Sequence, residues 1–367
     1  MKYYIIAGEA SGDLHGSNLI KELKKLDTAA DIRCWGGDLM QAAGARLVKH
    51  YRNLAFMGFI EVVSNLRTIL RNLSFCKKDI LEFTPDAIIL IDYPGFNLRI
   101  ARWAKANGFK IIYYISPQVW AWKENRVHTI KKCVDKMLVI LPFEKGFYQK
   151  WNYEVKYVGH PLVEVVDEWQ RQHPNTVKTN IIALLPGSRK QEILKKLPVM
   201  LEVSRHFPDH EFIVAMAPGL EKEFYQNMLS GYGNVKAVSG KTYDLLMQAE
   251  AALVTSGTAT LETALFGVPE VVCYKGSAVS YEIAKRVIKI KYISLVNLIM
   301  DKPVVKELIQ HDLTVNNVKK ELQDLLTNDK RIAQLKEDYS ALRSLLSRGG
   351  HASTNAAKAI SSFLHNG

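Results

Sequence analysis

Two short segments in the second half of the 367-residue chain carry the residue types that hold a diphosphate. In Leu185-Pro186-Gly187-Ser188-Arg189, with Glu192 three residues on, Gly187 lets the backbone approach a ligand closely. Ser188 can cap and donate, and the Arg189 guanidinium can fork onto phosphate oxygens. In Thr255-Ser256-Gly257-Thr258-Ala259-Thr260-Leu261-Glu262, small hydroxyl residues and a glycine open a helix whose N-terminal dipole favours an anion. Glu262 falls one turn inside, where a carboxylate can accept both hydroxyls of a ribose. The first segment alone has a second reading, a solvated arginine beside a capped helix; together the two propose a nucleoside diphosphate. No Asp-x-Asp occurs, so no metal ligand and no cofactor is expected, and helix dipoles and Arg189 would stabilise a leaving diphosphate.

Three loops in the first half carry further chemistry. Gly8-Glu9-Ala10-Ser11-Gly12-Asp13 is a glycine-rich first turn, without the G-x-G-x-x-G or Walker patterns, and Ser11 or Asp13 could simply cap the next helix. Asp92, in Ile91-Asp92-Tyr93-Pro94-Gly95-Phe96-Asn97, follows an apolar run; there a carboxyl with a raised pKa acts as a base, or else forms the turn ahead of a helix. The two tryptophans of Ser116-Pro117-Gln118-Val119-Trp120-Ala121-Trp122 suit a sugar face or an acyl chain, or core packing at a domain edge. His160, in Val158-Gly159-His160-Pro161, reads as a hinge or cleft residue.

The elements that position these loops follow from periodicity. Short apolar runs at 3–7, 87–91, 111–115, 137–140 and 155–158 predict buried strands, with helix-period stretches at 14–26, 59–83 and 98–107 between them. The rhythm repeats, with strands at 181–185, 212–215, 251–254 and 271–274 and helices at 190–206, 258–266 and 277–288. Alternation of this kind implies βαβ units and parallel sheets, whose ligands bind beyond the carboxyl ends of the strands. The fold class is therefore α/β: two Rossmann-like domains facing a cleft, with a helical C-terminal tail. The polar, Gln-rich stretch 167–180 is the expected linker, leaving 1–166 as the first domain and the second starting at 181. After about residue 303 only helices are predicted, at 304–310, 315–326, 331–346 and 352–364.

Composition narrows the class. Forty-eight per cent hydrophobic and 23% charged residues describe an ordinary globular protein rather than a disordered one. Four isolated cysteines argue against a zinc site or a disulfide framework. No apolar run approaches the roughly 18 residues of a spanning helix, and the opening residues read as strand then loop without a signal peptide. The net charge of +12 draws anionic partners: nucleic acid, phosphorylated metabolites or an anionic membrane face. Neither an aromatic RNA-binding strand nor an arginine-rich run is present, so no nucleic-acid partner is expected, and a basic RNA-binding protein is the weaker rival reading.

One helix-period stretch has a second reading. Phe59, Val62, Val63, Leu66, Ile69, Leu70 and Leu73 gather on one stripe, edged by Arg67 and Arg71 and followed by Lys77 and Lys78. An apolar face edged with cations suits contact with anionic lipid or acyl chains; a helix covering a sheet shows the same stripe.

Taken in order, these loops resemble those of the lipid-A-disaccharide synthases, glycosyltransferases of family 19 with the two-domain GT-B architecture. The resemblance spans nearly the whole chain. It rests on Ala7-Gly8-Glu9-Ala10-Ser11-Gly12-Asp13, Met57-Gly58-Phe59-Ile60-Glu61-Val62, the tryptophan loop, Leu141-Pro142-Phe143-Glu144, Leu184-Leu185-Pro186-Gly187-Ser188-Arg189, Ser256-Gly257-Thr258-Ala259 and Ser294-Leu295-Val296-Asn297-Leu298.

It implies an inverting transfer from UDP-2,3-diacylglucosamine to 2,3-diacylglucosamine 1-phosphate (lipid X), giving a β-1',6-linked disaccharide 1-phosphate and UDP. Asp92 would be the single general base; many relatives carry a second Asp three residues later, where this chain has Gly95. Gly187, Ser188, Arg189, Ser256, Gly257, Thr258 and Glu262 would hold UDP with Asn297 nearby, and Glu9, Ser11 and Gly12 would line the acceptor side. The resemblance further implies that 1–166 is an acceptor domain, 181–335 a UDP-sugar domain and 336–367 helices packing back on the first domain, in a cytoplasmic enzyme held peripherally at the inner membrane, and it admits a homodimer that exchanges C-terminal helices. The same scaffold would also serve a UDP-N-acetylglucosamine 2-epimerase, the main alternative.

Overall fold

A computed structural model describes residues 1–53, 66–217, 219–277, 281 and 290–365. The chain forms two compact units, one from Met1–Pro161 with Ser347–Gly367 and one from Leu162–Leu346.

The first unit is built on a parallel sheet of β1 (Lys2–Ala7), β2 (Asp31–Gly36), β3 (Arg46–His50), β4 (Ala87–Ile91), β5 (Ile111–Tyr114), β6 (Lys136–Val139) and β7 (Lys156–Tyr157), in the order β3-β2-β1-β4-β5-β6-β7. β1 and β4 are buried along almost their whole length, as strands covered on both faces must be. Between them the strand order reverses, and Ala7 pairs with Ile91. The loops leaving these neighbouring ends part there, which opens a crevice at a topological switch point. Gly8–Asp13 and Asp92–Asn97 therefore start side by side.

The second unit repeats the plan with β8 (Ile181–Leu185), β9 (Glu211–Met216), β10 (Val235–Ser239), β11 (Ala249–Thr255), β12 (Glu270–Tyr274) and β13 (Lys306–Ile309), in the order β10-β9-β8-β11-β12-β13. Its switch point lies between β8 and β11, where Leu185 pairs with Val254. The two segments read as a diphosphate cradle leave from those two strand ends.

Helix Ala352–His365 belongs to the first unit, where Thr354 donates to Glu22 at 3.0 Å and Ala352, Ala356, Ala357 and Ile360 are buried. The chain re-enters that unit through a contact of two glycines: a Cβ on Gly349 would lie 2.4 Å from the Gly159 Cα. Neither position accepts a side chain.

Several expectations need correction. Residues 304–310 do not form the expected helix; the spacing of Val304, Val305, Leu308 and Ile309 fits one, but Lys306–Ile309 pair in parallel with β12 as strand β13 and Gln310 opens a short 3₁₀ turn. The stretch expected to be linker from residue 167 begins inside helix Pro161–Gln172, where Asp167 pairs with Arg343. Helix Asp329–Ser347 stays with the second unit instead of leaving at residue 336, because Leu335, Tyr339 and Leu342 are buried and Arg343 donates to the Leu265 carbonyl at 2.9 Å. The membrane stripe divides. Leu73 lies in the first unit's core with Cys76 and Ile80, Ile69 packs against that core, and Leu70 is 56% exposed beside exposed Arg67 and Arg71. Phe59, Val62, Val63, the Leu66 side chain and most of the helix expected at 277–288 lie outside the described residues.

Candidate active site

At the end of β4 the backbone is forced into an unusual shape. Asp92 and Tyr93 have φ of 41° and 48°, left-handed values that disfavour residues with a Cβ. Three bonds hold Asp92 there: its amide donates to the Ile115 carbonyl at 3.2 Å, and its carbonyl accepts from the Tyr113 hydroxyl at 2.6 Å and from Asn97 Nδ2 at 2.8 Å. Asp92 as a whole residue is half-buried. Burial pushes its pKa from the ordinary 3.8 up to about 7, the Glu9 charge pushes the same way, and a bond from the Tyr93 backbone opposes. Asp92 is not the helix cap; that position belongs to Tyr93, ahead of Pro94.

Glu9, Ser11 and Gly12 sit at the start of helix Ala10–Leu26, next to this carboxyl. Gly8 and the Tyr93 ring are in such close contact that a Cβ would lie 2.3 Å from the ring. Asp13 does not cap its own helix. Its carboxylate accepts from the Gly37, Leu39 and Met40 amides at 2.7, 3.2 and 3.0 Å, fixing the start of helix Asp38–Ala42.

The tryptophan loop is held from below. Ser116 Oγ meets the Tyr148 hydroxyl at 2.7 Å, Trp120 packs edge-on against Phe143, and Trp122 is 43% exposed. Glu144, which sequence reasoning did not single out as a site residue, is buried and accepts from the Leu141 amide at 2.9 Å; burial pushes its pKa up to about 7. His160 is buried beside His15, and desolvation pushes the two down to about 3 and about 4, so both imidazoles are neutral.

In the second unit, Gly187, Ser188 and Arg189 leave β8 and start helix Lys190–Ser204. Arg189 donates to Glu192 at 2.9 Å, and Glu192 lies 3.7 Å from Lys196 Nζ. Lys196 is 2% exposed and also donates to the Thr255 hydroxyl, so one polar chain joins both segments of the cradle. Burial lowers the Lys196 pKa, with Glu192 opposing. Sequence reasoning missed Lys196. The signal was a cation on the apolar face formed by Ile193, Leu197 and Met200.

Gly257 caps helix Thr258–Leu265, and Gly257 and Thr258 are exposed. Ser256 donates to the Ile293 carbonyl at 2.7 Å. Glu262 is half-buried with a raised pKa, desolvation outweighing a 3.2 Å bond from Tyr243. Asn297 is differently employed. Its side chain bonds the Val305 amide, the Val305 carbonyl and Glu307, each at 2.9 Å, while Glu307 accepts from Ile293 and Ser294. It anchors the loop that receives Ser256.

Comparison with known proteins identifies the chemistry. A family model for lipid-A-disaccharide synthetase matches residues 3–361. The chain belongs to that family. The lipid-A-disaccharide synthase of Syntrophus aciditrophicus is 41% identical, covering 97% of this chain and 96% of its own. That of Coxiella burnetii (strain CbuK_Q154) is 37% identical over 99% and 97%. A UDP-GlcNAc 2-epimerase from Neisseria meningitidis, bound to UDP-GlcNAc, superposes with a TM-score of 0.66 at 14% identity over 100% of both chains. An S. aureus protein solved with UDP gives 0.69 at 12% identity over 99% and 97%.

At such identities the likeness is one of fold, so the epimerase alternative keeps only the architecture. Lipid-A-disaccharide synthase function, a glycosyl transfer in lipid A biosynthesis, follows from the family and the full-length relatives. Among the described residues no helix is long and apolar enough to cross a membrane, and no group of three His, Cys, Asp or Glu gathers as a metal site.

Proposed function

We propose that the synthase reaction runs by single displacement from UDP-2,3-diacylglucosamine to lipid X with Asp92 as base. The Asp92 carboxylate takes the proton of the acceptor 6-hydroxyl, that oxygen bonds the donor's anomeric carbon, and the bond to UDP breaks with its electron pair leaving on the diphosphate. Inversion needs one base, and the observation that carries the assignment is the Asp92 pKa of about 7 at a switch-point strand end. Gly187, Ser188, Arg189, Gly257 and Thr258 receive the diphosphate and Glu262 the ribose, with Ser256 held to shape the turn. Glu9, Ser11 and Gly12 line the acceptor side.

The enzyme works at the cytoplasmic face of an anionic membrane. In support, helix Leu66–Phe83 exposes Leu70, Phe75 and Leu81 at 56%, 46% and 51%, among exposed Arg67, Arg71 and Lys78. The decisive experiment follows UDP release from the donor with and without lipid X. Release that requires lipid X and yields the disaccharide 1-phosphate supports the reading; release without an acceptor sugar refutes it.

A further inference from the structure

A cluster of cations beside the tryptophan loop takes no part in the chemistry so far described. Arg99 is exposed on helix Pro94–Ala106, Lys123 is exposed in the loop, and Arg126 is half-buried at the start of helix Arg126–Cys133. Among the described residues none of the three pairs with a carboxylate. Instead Arg126 lies within electrostatic reach of both Arg99 and Lys123. Burial lowers the Arg126 pKa, with Tyr113 opposing and Arg99 adding to the fall; burial and then Arg126 lower that of Lys123. Like charges kept together without a counterion raise the energy of the empty protein, and an arriving anion relieves it.

The fold maintains this arrangement. Lys123 holds a φ of 60°, unfavourable for a residue with a Cβ, and the Arg126 amide donates to its carbonyl at 3.0 Å. The two cations share the exposed Trp122 ring, with Lys123 Nζ 4.3 Å and Arg126 Cζ 5.5 Å from its centre. Arg126 also acts electrostatically on Tyr113, whose hydroxyl bonds the Asp92 carbonyl. The cluster thus lies in the same unit as the proposed base, within electrostatic reach of Tyr113 and without contact to the Asp92 carboxyl.

We propose that Arg126, Lys123 and Arg99, with Trp122 beneath, form the site for the phosphate monoester of the acceptor sugar. This rests on the acceptor being a sugar 1-phosphate. Arginine presents a planar fork that matches phosphate oxygens, lysine adds a point charge, and the indole offers a flat apolar surface to the sugar ring. The three set acceptor specificity; they move no proton.

The test compares lipid X with the same diacylglucosamine lacking the 1-phosphate, on the full chain and on Arg126→Gln, Arg126→Lys and Lys123→Gln. Arg126→Gln should raise the KM for lipid X by about 10- to 100-fold, the range for losing a charged hydrogen bond. It should leave the phosphate-free acceptor and UDP affinity unchanged, and Arg126→Lys should recover part of the loss. Lys123→Gln, at an exposed position, gives the same direction should Arg126→Gln not fold. Equal loss on both acceptors, or no loss, overturns the proposal. So does unchanged phosphate discrimination with weaker binding to phosphatidylglycerol vesicles, which would give the cations to membrane phosphates. Calorimetry with glucosamine 1-phosphate needs no turnover: heat abolished by Arg126→Gln sustains the site even if lipid X proves not to be the acceptor, and heat unaffected by it overturns the site.

Discussion

Replacing Asp92 by Asn tests the base and its environment together. The carboxyl rises from 3.8 to about 7, roughly three units, a ceiling of about 4 kcal/mol at 1.36 kcal/mol per unit. The residue as a whole is only half-buried, so solvent screening brings the expected figure to about 2 kcal/mol. The sign follows from proton binding. Between pH 4 and 7 the folded state holds a proton that the unfolded chain has released, so this group's contribution falls as pH rises and levels off above 7.

Asp92→Asn should therefore melt about 4–8 °C higher than the parent at pH 8, with the gain fading toward pH 4, by calorimetry of the first unit's transition. Turnover should move the opposite way. The parent should lose about tenfold per unit below pH 7, and the variant should lose at least about 10²-fold at pH 8 with UDP affinity intact. Glu144 also titrates near 7, so Glu144→Gln is the control and should keep the acid limb. An acid limb that persists in Asp92→Asn, or a variant no more stable at pH 8, would refute the reasoning.

Other consequences are as direct. Gly8→Ala places a methyl carbon 2.3 Å from the Tyr93 ring and should lower turnover sharply while melting shifts modestly, because the loop next to Asp92 must move. Lys196→Met should weaken UDP binding in calorimetry by about tenfold, through loss of the bond that ties Thr255 to the Arg189–Glu192 pair. Leu73→Ala should destabilise by about 2–5 kcal/mol in chemical denaturation, whereas Leu70→Ser should leave stability within about 0.5 kcal/mol and reduce vesicle co-sedimentation.

The fold was legible where burial is continuous. β4 and β8 carry five buried residues each, and the sequence marks both without ambiguity. The missed strands are those that look polar. β2 begins Asp31-Ile32-Arg33 and β3 holds Arg46 and Lys49; β10 is half-exposed; β13 has helical spacing. Their identity comes from pairing with a neighbour already in place, which no local pattern encodes. The candidate site divides in the same way. Loops at strand ends could be found from glycine, hydroxyl and carboxyl residues. Lys196 was hidden because its role is set by a partner distant in sequence, Thr255, 59 residues away, and Glu144 and the Asn297–Glu307 clamp because they bond near neighbours in turns and loops that carry no periodic signal.

The return of Ser347–Gly367 to the first unit fixes an order of assembly. During synthesis, the Ala10–Leu26 helix leaves the ribosome long before the alanine-rich helix that covers it. At about 5–20 residues per second, the intervening 162–346 segment imposes a delay of roughly 10–40 s. The second unit, continuous in sequence, receives its last residue as that interval closes, one position before the returning segment begins, while the first waits with an uncovered flank until the Gly159–Gly349 contact closes. The half that emerges first is the last to mature.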